Sequence, residues 1–144
     1  MRARRIQNTL KNEKGQSLVE FALVVPLLLL LVIGIAEFGR AWMTKNILTG
    51  AAREAARMAA VPPPTGMDNV TWNAAISARA DNILKSAGIT IPAGNIQVVA
   101  NVGTFEAVTV TVNYDLPVVI AGFIPGLGNA TIPLSSTTTM RREY

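Results

Sequence analysis

Glu20 is the residue whose position most demands chemistry. It opens a run, Phe21 to Ala36, in which no residue is charged. An unpaired carboxylate drawn into hydrocarbon costs about 3 kcal/mol on insertion scales. A chain that keeps one there needs a cation beside it, because losing one partner of a buried pair costs far more than never having the pair. The other acids offer less. Asp68, Asp81, Glu106 and Asp115 are scattered and do not approach the spacing of a calcium loop. With no histidine and no cysteine, the usual general base, the commonest transition-metal ligand, thiolate sites and disulfides are all excluded. The stretch GLGNA, Gly126–Ala130, lacks the order of a dinucleotide loop and precedes a strand pattern. Asn69-Val70-Thr71 and Asn129-Ala130-Thr131 fit the short glycosylation rule and nothing more specific. The inventory predicts a protein that is not an enzyme, with no metal, no cofactor and no small-molecule substrate.

The elements that position Glu20 are a basic leader and a long apolar helix. Arg2, Arg4, Arg5, Lys11 and Lys14 precede the run against one acid, Glu13, and they hold most of the net charge of +4. That is the flank of a chain inserted with its positive side in the cytoplasm. No basic stripe interleaved with aromatics follows, so nucleic acid is not an expected partner. The uncharged run makes about 24 Å of helix at ~1.5 Å per residue, short of a bilayer's ~30 Å hydrocarbon core. Gln16–Val19 in front and Phe38–Met43 behind extend it, with Trp42 suited to the far interface. Pro26 is tolerable near the start of such a helix. A cleaved secretory signal, with Gly34-Ile35-Ala36 as its small-x-small site, is the competing reading. It leaves Glu20 without a purpose.

Gly15-Gln16-Ser17-Leu18-Val19-Glu20-Phe21, behind its basic leader, resembles the type III signal of type IV pilin-like proteins. The resemblance implies cleavage after Gly15, leaving Gln16 as a new amino terminus, often methylated in such proteins, at the membrane edge. The terminal ammonium of one subunit then pairs with Glu20 of a neighbour. On that reading Gly15 and Gln16 are the processing residues, and Gln16, Glu20 and Phe21 the assembly residues.

The wider stretch GQSLVEFALVVPLLLLLVIGIAEFGRAW is similar to the TadE-like family, minor pseudopilins of tight-adherence (Tad, or Flp) pilus systems. The family's glycine, V-E-F-A-L-V-x-P run, leucine block and E-F-G-R exit fall at Gly15, Val19–Pro26, Leu27–Leu31 and Glu37–Arg40. Phe21 stands where major Flp pilins usually carry tyrosine, and the chain is longer than those pilins. Both favour a minor pseudopilin. The resemblance implies as partners a prepilin peptidase, a TadF-like pseudopilin, the major Flp pilin and the bacterial inner membrane, with the amino end cytoplasmic and the remainder periplasmic or extracellular. It also implies a part in pilus assembly and cell adhesion, at the filament's tip or at its initiation. The alternative is a secreted or membrane-tethered binding module with a cleaved or retained signal.

Past Trp42 the helical period persists. Ile47, Leu48, Ala51, Ala52, Ala55, Ala56 and Ala59 form a small-residue stripe, and Pro62–Pro64 must end the helix. Gly50 predicts a bend or local melting, Glu54 a surface pair with Arg57, and Arg53 with Arg57 a basic edge, either solvated or in contact with an acidic partner subunit. A second helix follows, capped by Asp68 or Thr71, with Trp72, Ala75, Ile76, Ala80, Ile83, Leu84 and Ala87 inward and Gly88 as its stop. The period then changes to two. Ile96–Val102 and Ala107–Tyr114 predict a hairpin turning through Gly103–Glu106, and Ala130–Arg142 a third, edge-like strand because of Pro133. The apolar stretch from Asp115 to Ala130 reads as the connection between the last two strands, either packed in the core or turned to a membrane or neighbouring subunit. The expected architecture is α+β and pilin-like: leader 1–15, transmembrane and amphipathic helix 16–61, and an α+β domain 62–144.

Overall fold

The computed structural model describes residues 3–92, 94–101, 107–123, 126 and 128–142. Its elements in chain order are α1 (Ala3–Ala60), α2 (Asn69–Ser86), β1 (Ile96–Asn101), β2 (Ala107–Pro117), a short 3-10 turn (Ile120–Phe123) and β3 (Thr131–Arg141). The fold is α+β, as expected. The hairpin connection Gly103–Glu106, Val102 and Ile124 lie outside the described residues. Two compact units divide the chain, Met1–Phe38 and Gly39–Tyr144.

The first unit is helix alone. Its apolar side chains meet no core: Phe21, Leu23, Leu27 and Ile35 are all more than half exposed.

In the second unit the sheet runs β1-β2-β3, antiparallel throughout, so β2 is central and β3 an edge strand. Pro133 sits on that edge, opposite Asp115, where a missing N–H is tolerable. Val108, Val110 and Val112 point to one face and are essentially inaccessible. Over them lie Leu48, Ala51, Ala52, Ala55, Ala56 and Ala59 of α1 and Trp72, Ile76, Ala80 and Leu84 of α2. Each fully buried Val, Leu or Ile contributes about 1.5–3 kcal/mol. The alanines contribute less burial each, but together they keep that flank of α1 apolar and inaccessible. On the opposite face, Thr109 pairs with Thr139 at 2.9 Å and Thr111 with Thr137 at 3.1 Å, hydroxyl to hydroxyl across the strands.

Three expectations need correction. Gly50 does not melt α1, which passes through it unbroken. The cost of about 1 kcal/mol for a helical glycine is outweighed by the buried residues beside it, Leu48, Ala51 and Ala52. Glu54 takes its partner from α2 and not simply from its own helix: Arg79 reaches it at 3.0 Å. Both groups are well exposed, so the bond contributes about 0.2–1 kcal/mol. Finally, Asp115–Pro117 belong to β2 and pair with Pro133–Thr131. Leu116 keeps the inward parity of Val108, Val110 and Val112, and is 3% exposed.

The ends of α2 follow local chemistry. Asp68 is the N-cap, and its Oδ1 accepts from the Thr71 amide at 2.8 Å. At the other end the Gly88 amide bonds the Lys85 carbonyl at 3.0 Å and the Ile89 amide the Leu84 carbonyl at 2.9 Å. This Schellman pattern requires the left-handed conformation that Gly88 holds, φ +77°. Ala87, expected on the inward stripe, is the exposed C-cap residue instead.

The hydrogen bonds from Thr71 favour the ionised Asp68 and hold its carboxyl below the ordinary 3.8. A depressed carboxylate pKa stabilises the fold fully above its unfolded value and loses that contribution as pH falls through the folded one. Asp68→Asn is therefore expected to be less acid-sensitive: in thermal melts, the gap between the native chain and the variant narrows as pH drops from neutral to well below 3.8. A gap that widens on acidification would contradict this assignment.

Candidate functional site

Gly15, Gln16, Glu20 and Phe21 all lie on α1, within the exposed unit. Helical geometry stacks positions four apart on one face. The Gln16 Nε2 accordingly donates to Glu20 Oε1 at 3.1 Å, so the two residues expected to meet between subunits already share a face within one chain. Phe21 stands beside them, 66% exposed. No atom would obstruct a β-carbon at Gly15, and the same is true at Gly34 and Gly39. Packing inside the chain therefore does not require glycine at these positions. Small residues on an apolar helix let a neighbouring helix approach closely.

The helix from Gly15 to Ala60, which contains the uncharged run Phe21–Ala36, meets the length and composition needed to cross a bilayer. Pro26 is accommodated inside the helix. The removal of its amide leaves the Ala22 carbonyl without its usual intrahelical donor.

The remaining clefts offer little chemistry. A cavity of about 380 Å³ lies by α2 and β1, lined by Asp81, Lys85, Thr90 and Ile96 among others. Its two charges satisfy one another, Lys85 Nζ reaching Asp81 Oδ2 at 2.6 Å. Among the described residues, no group of three or more acids could hold a metal. Trp72, expected as a core anchor, is buried, and its indole N–H has no hydrogen-bond partner among the described residues.

Two polar contacts were not readable from the sequence. Arg40 donates to the Pro117 carbonyl at the end of β2, and Lys45 to the Ser135 carbonyl in β3. One turn further along α1, Thr49 donates to the Lys45 carbonyl at 2.8 Å and accepts from Ser136 at 3.1 Å. Together these tie the early part of α1 in the second unit to the far end of the sheet. The partners are 77 to 90 residues apart, beyond the reach of any pattern rule.

Fold and segment together define a protein with one apolar, membrane-compatible helix and a small α+β domain. Residues 15–57 match the family model described as TadE-like protein. The match begins at Gly15 and ends within the alanine stripe, bearing out over that span the resemblance read from the sequence. No curated protein and no solved structure matches the chain.

Proposed function

We propose that the protein is a minor pseudopilin of a Tad (Flp) pilus, a non-enzymatic component that takes part in assembling the filament. It is made as a precursor with its amino end in the cytoplasm, spans the inner membrane once, and is cut after Gly15 by a prepilin peptidase. The α+β domain then faces the periplasm or the exterior, with a TadF-like pseudopilin and the major Flp pilin as its partners. The TadE-like match across the leader junction carries this reading. The shared face of Gln16 and Glu20 supports it. Cutting there turns the Gln16 amide nitrogen into an ammonium, one helical turn from a carboxylate. In hydrocarbon a cation–carboxylate pair between neighbouring subunits offsets the cost that either charge would suffer alone.

Intact mass of the chain extracted from native membranes tests the processing step. The expected mass is that of Gln16–Tyr144, with or without one methyl group. A chain beginning at Glu37 would mean ordinary secretion, and one retaining Met1–Gly15 would end the pseudopilin assignment.

A further inference from the structure

We propose that the outer edge of β3, from Thr137 to Arg141, is a strand-addition site that takes an extended, acidic segment of a partner protein. All the residues that make it belong to the second unit.

The register fixes which backbone groups face outward. The Val118 amide bonds the Ala130 carbonyl at 3.0 Å, in step with the pairs from Leu116↔Ile132 to Val108↔Met140. Hydrogen-bonded pairs alternate along an antiparallel ladder, so even-numbered residues of β3 turn their amides and carbonyls to β2. On the other side of β2 the Asn113 amide bonds the Asn95 carbonyl at 2.9 Å, in keeping with the same alternation. Odd-numbered residues of β3 therefore present theirs at the free edge, beyond which no strand lies among the described residues. The two halves of that edge differ. In the first, Pro133 has no N–H to offer, and Lys45 of α1 takes the Ser135 carbonyl. Proline and lysine are common means of keeping foreign strands off an edge. The second half has neither, and Thr137, Thr139 and Arg141 are all exposed.

The helices decide what can add there. Two helices side by side cover about 18–20 Å, with ~8–10 Å between axes and ~10 Å across each. Three strands cover about 14 Å, so the helical layer is roughly one strand wider than the sheet. Both helices lie over one face of it. Contacts of Lys45 with Ser135 and of Thr49 with Ser136 place α1 along the β3 side. A second copy adding through its own sheet would bring two more helices into that crowded layer, whereas a bare extended segment would not. The lining gives the segment its chemistry. A cleft of about 360 Å³ between the end of α1 and the end of β3 is lined by Arg57, Ala60, Val61, Met140 and Arg141. The apolar three suit aliphatic side chains, and the arginines suit a carboxylate. Glu54, one turn back on α1, is taken by Arg79. Just past β3, the Arg142 Nε is buried with no hydrogen-bond partner among the described residues. In strand addition the ladder supplies affinity, and the side chains that enter such a cleft supply selectivity.

A synthetic probe tests the site on the full chain in detergent micelles. The peptide acetyl-Thr-Val-Thr-Glu-Thr-Val-Thr-amide alternates hydroxyl and aliphatic residues and carries one carboxylate at its centre. Amide hydrogen exchange of the protein is followed by nuclear magnetic resonance as the peptide is added to millimolar concentration. The expected result is exchange slowed several-fold at Thr137, Thr139 and Arg141, with Ser135 unchanged. A peptide with lysine in place of the glutamate is expected to bind several-fold more weakly, and one methylated at alternate amide nitrogens to give no protection. Unchanged exchange at Thr137, Thr139 and Arg141 would overturn the site. Slowing at Ile96, Val98 and Ala100 instead would move strand addition to β1 and overturn it equally. Equal binding of the lysine peptide would overturn the acidic character of the partner, and protection by the methylated peptide would overturn the ladder.

Discussion

Glu20→Ala is expected to leave the chain in the membrane at native levels and to abolish its recovery with the other pilus proteins. Insertion does not suffer, because removing a carboxylate from the head of an apolar helix lowers the insertion cost, by at most the roughly 2.5–3.5 kcal/mol of a charge at the helix centre. On the proposed pairing, assembly suffers because the ammonium at Gln16 of the neighbour would be left in lipid with no counter-charge. Breaking one side of such a pair costs about 3–5 kcal/mol, on the order of a 10²- to 10³-fold loss in association. Affinity pull-down from detergent-solubilised membranes, with total chain in the membrane fraction as the control, gives both readings. Normal co-recovery of Glu20→Ala would mean that the carboxylate has no role between subunits. Loss of the chain from the membrane would instead give Glu20 a role in biogenesis.

The second large effect concerns the alanine stripe. Ala56 is fully buried between α1 and the rest of the core, and Ala56→Leu forces three further carbons into a packed layer. Overpacking of this kind costs about 1–3 kcal/mol, which lowers the midpoint of thermal unfolding by several degrees or more for a domain of roughly a hundred residues. Arg53→Leu, exposed on the same helix, is the control and belongs within about 0.5 kcal/mol of the native chain. Circular dichroism melts of the full chain in detergent compare the two. Equal midpoints would mean that the helix does not sit on the sheet as closely as the alanines indicate.

The stripe was readable in advance because a 3.6-residue period of small residues survives any context, and the valines of β2 because their alternation is unbroken. Where the sequence misled, a local signal lost to a distant contact. Gly50 carries a real helix penalty that buried neighbours override. Asp115-Leu116-Pro117 looks like turn punctuation, yet the pairing with Thr131–Pro133 keeps it in the sheet. Glu54 had a plausible partner three residues away, but α2 brings Arg79 to it. Arg40 and Lys45 gave no signal at all: each bonds a backbone carbonyl, and any residue type supplies one. The candidate site shows the same division. That Gly15, Gln16, Glu20 and Phe21 share one helix was legible, because helical spacing is fixed by covalent geometry; their roles in processing and assembly belong to the proposal. The neighbouring subunit that the proposal calls for was not legible, since a single chain contains only half of a contact between two.

The same α-helix that meets the criteria for crossing the bilayer also supplies Leu48 and five fully buried alanines to the folded domain. Within the second unit, a pull along α1 would load its packed flank in shear, where the buried small contacts and the Lys45 and Arg40 clasps share the load. Shared loading of that kind gives a small domain mechanical toughness without any covalent cross-link.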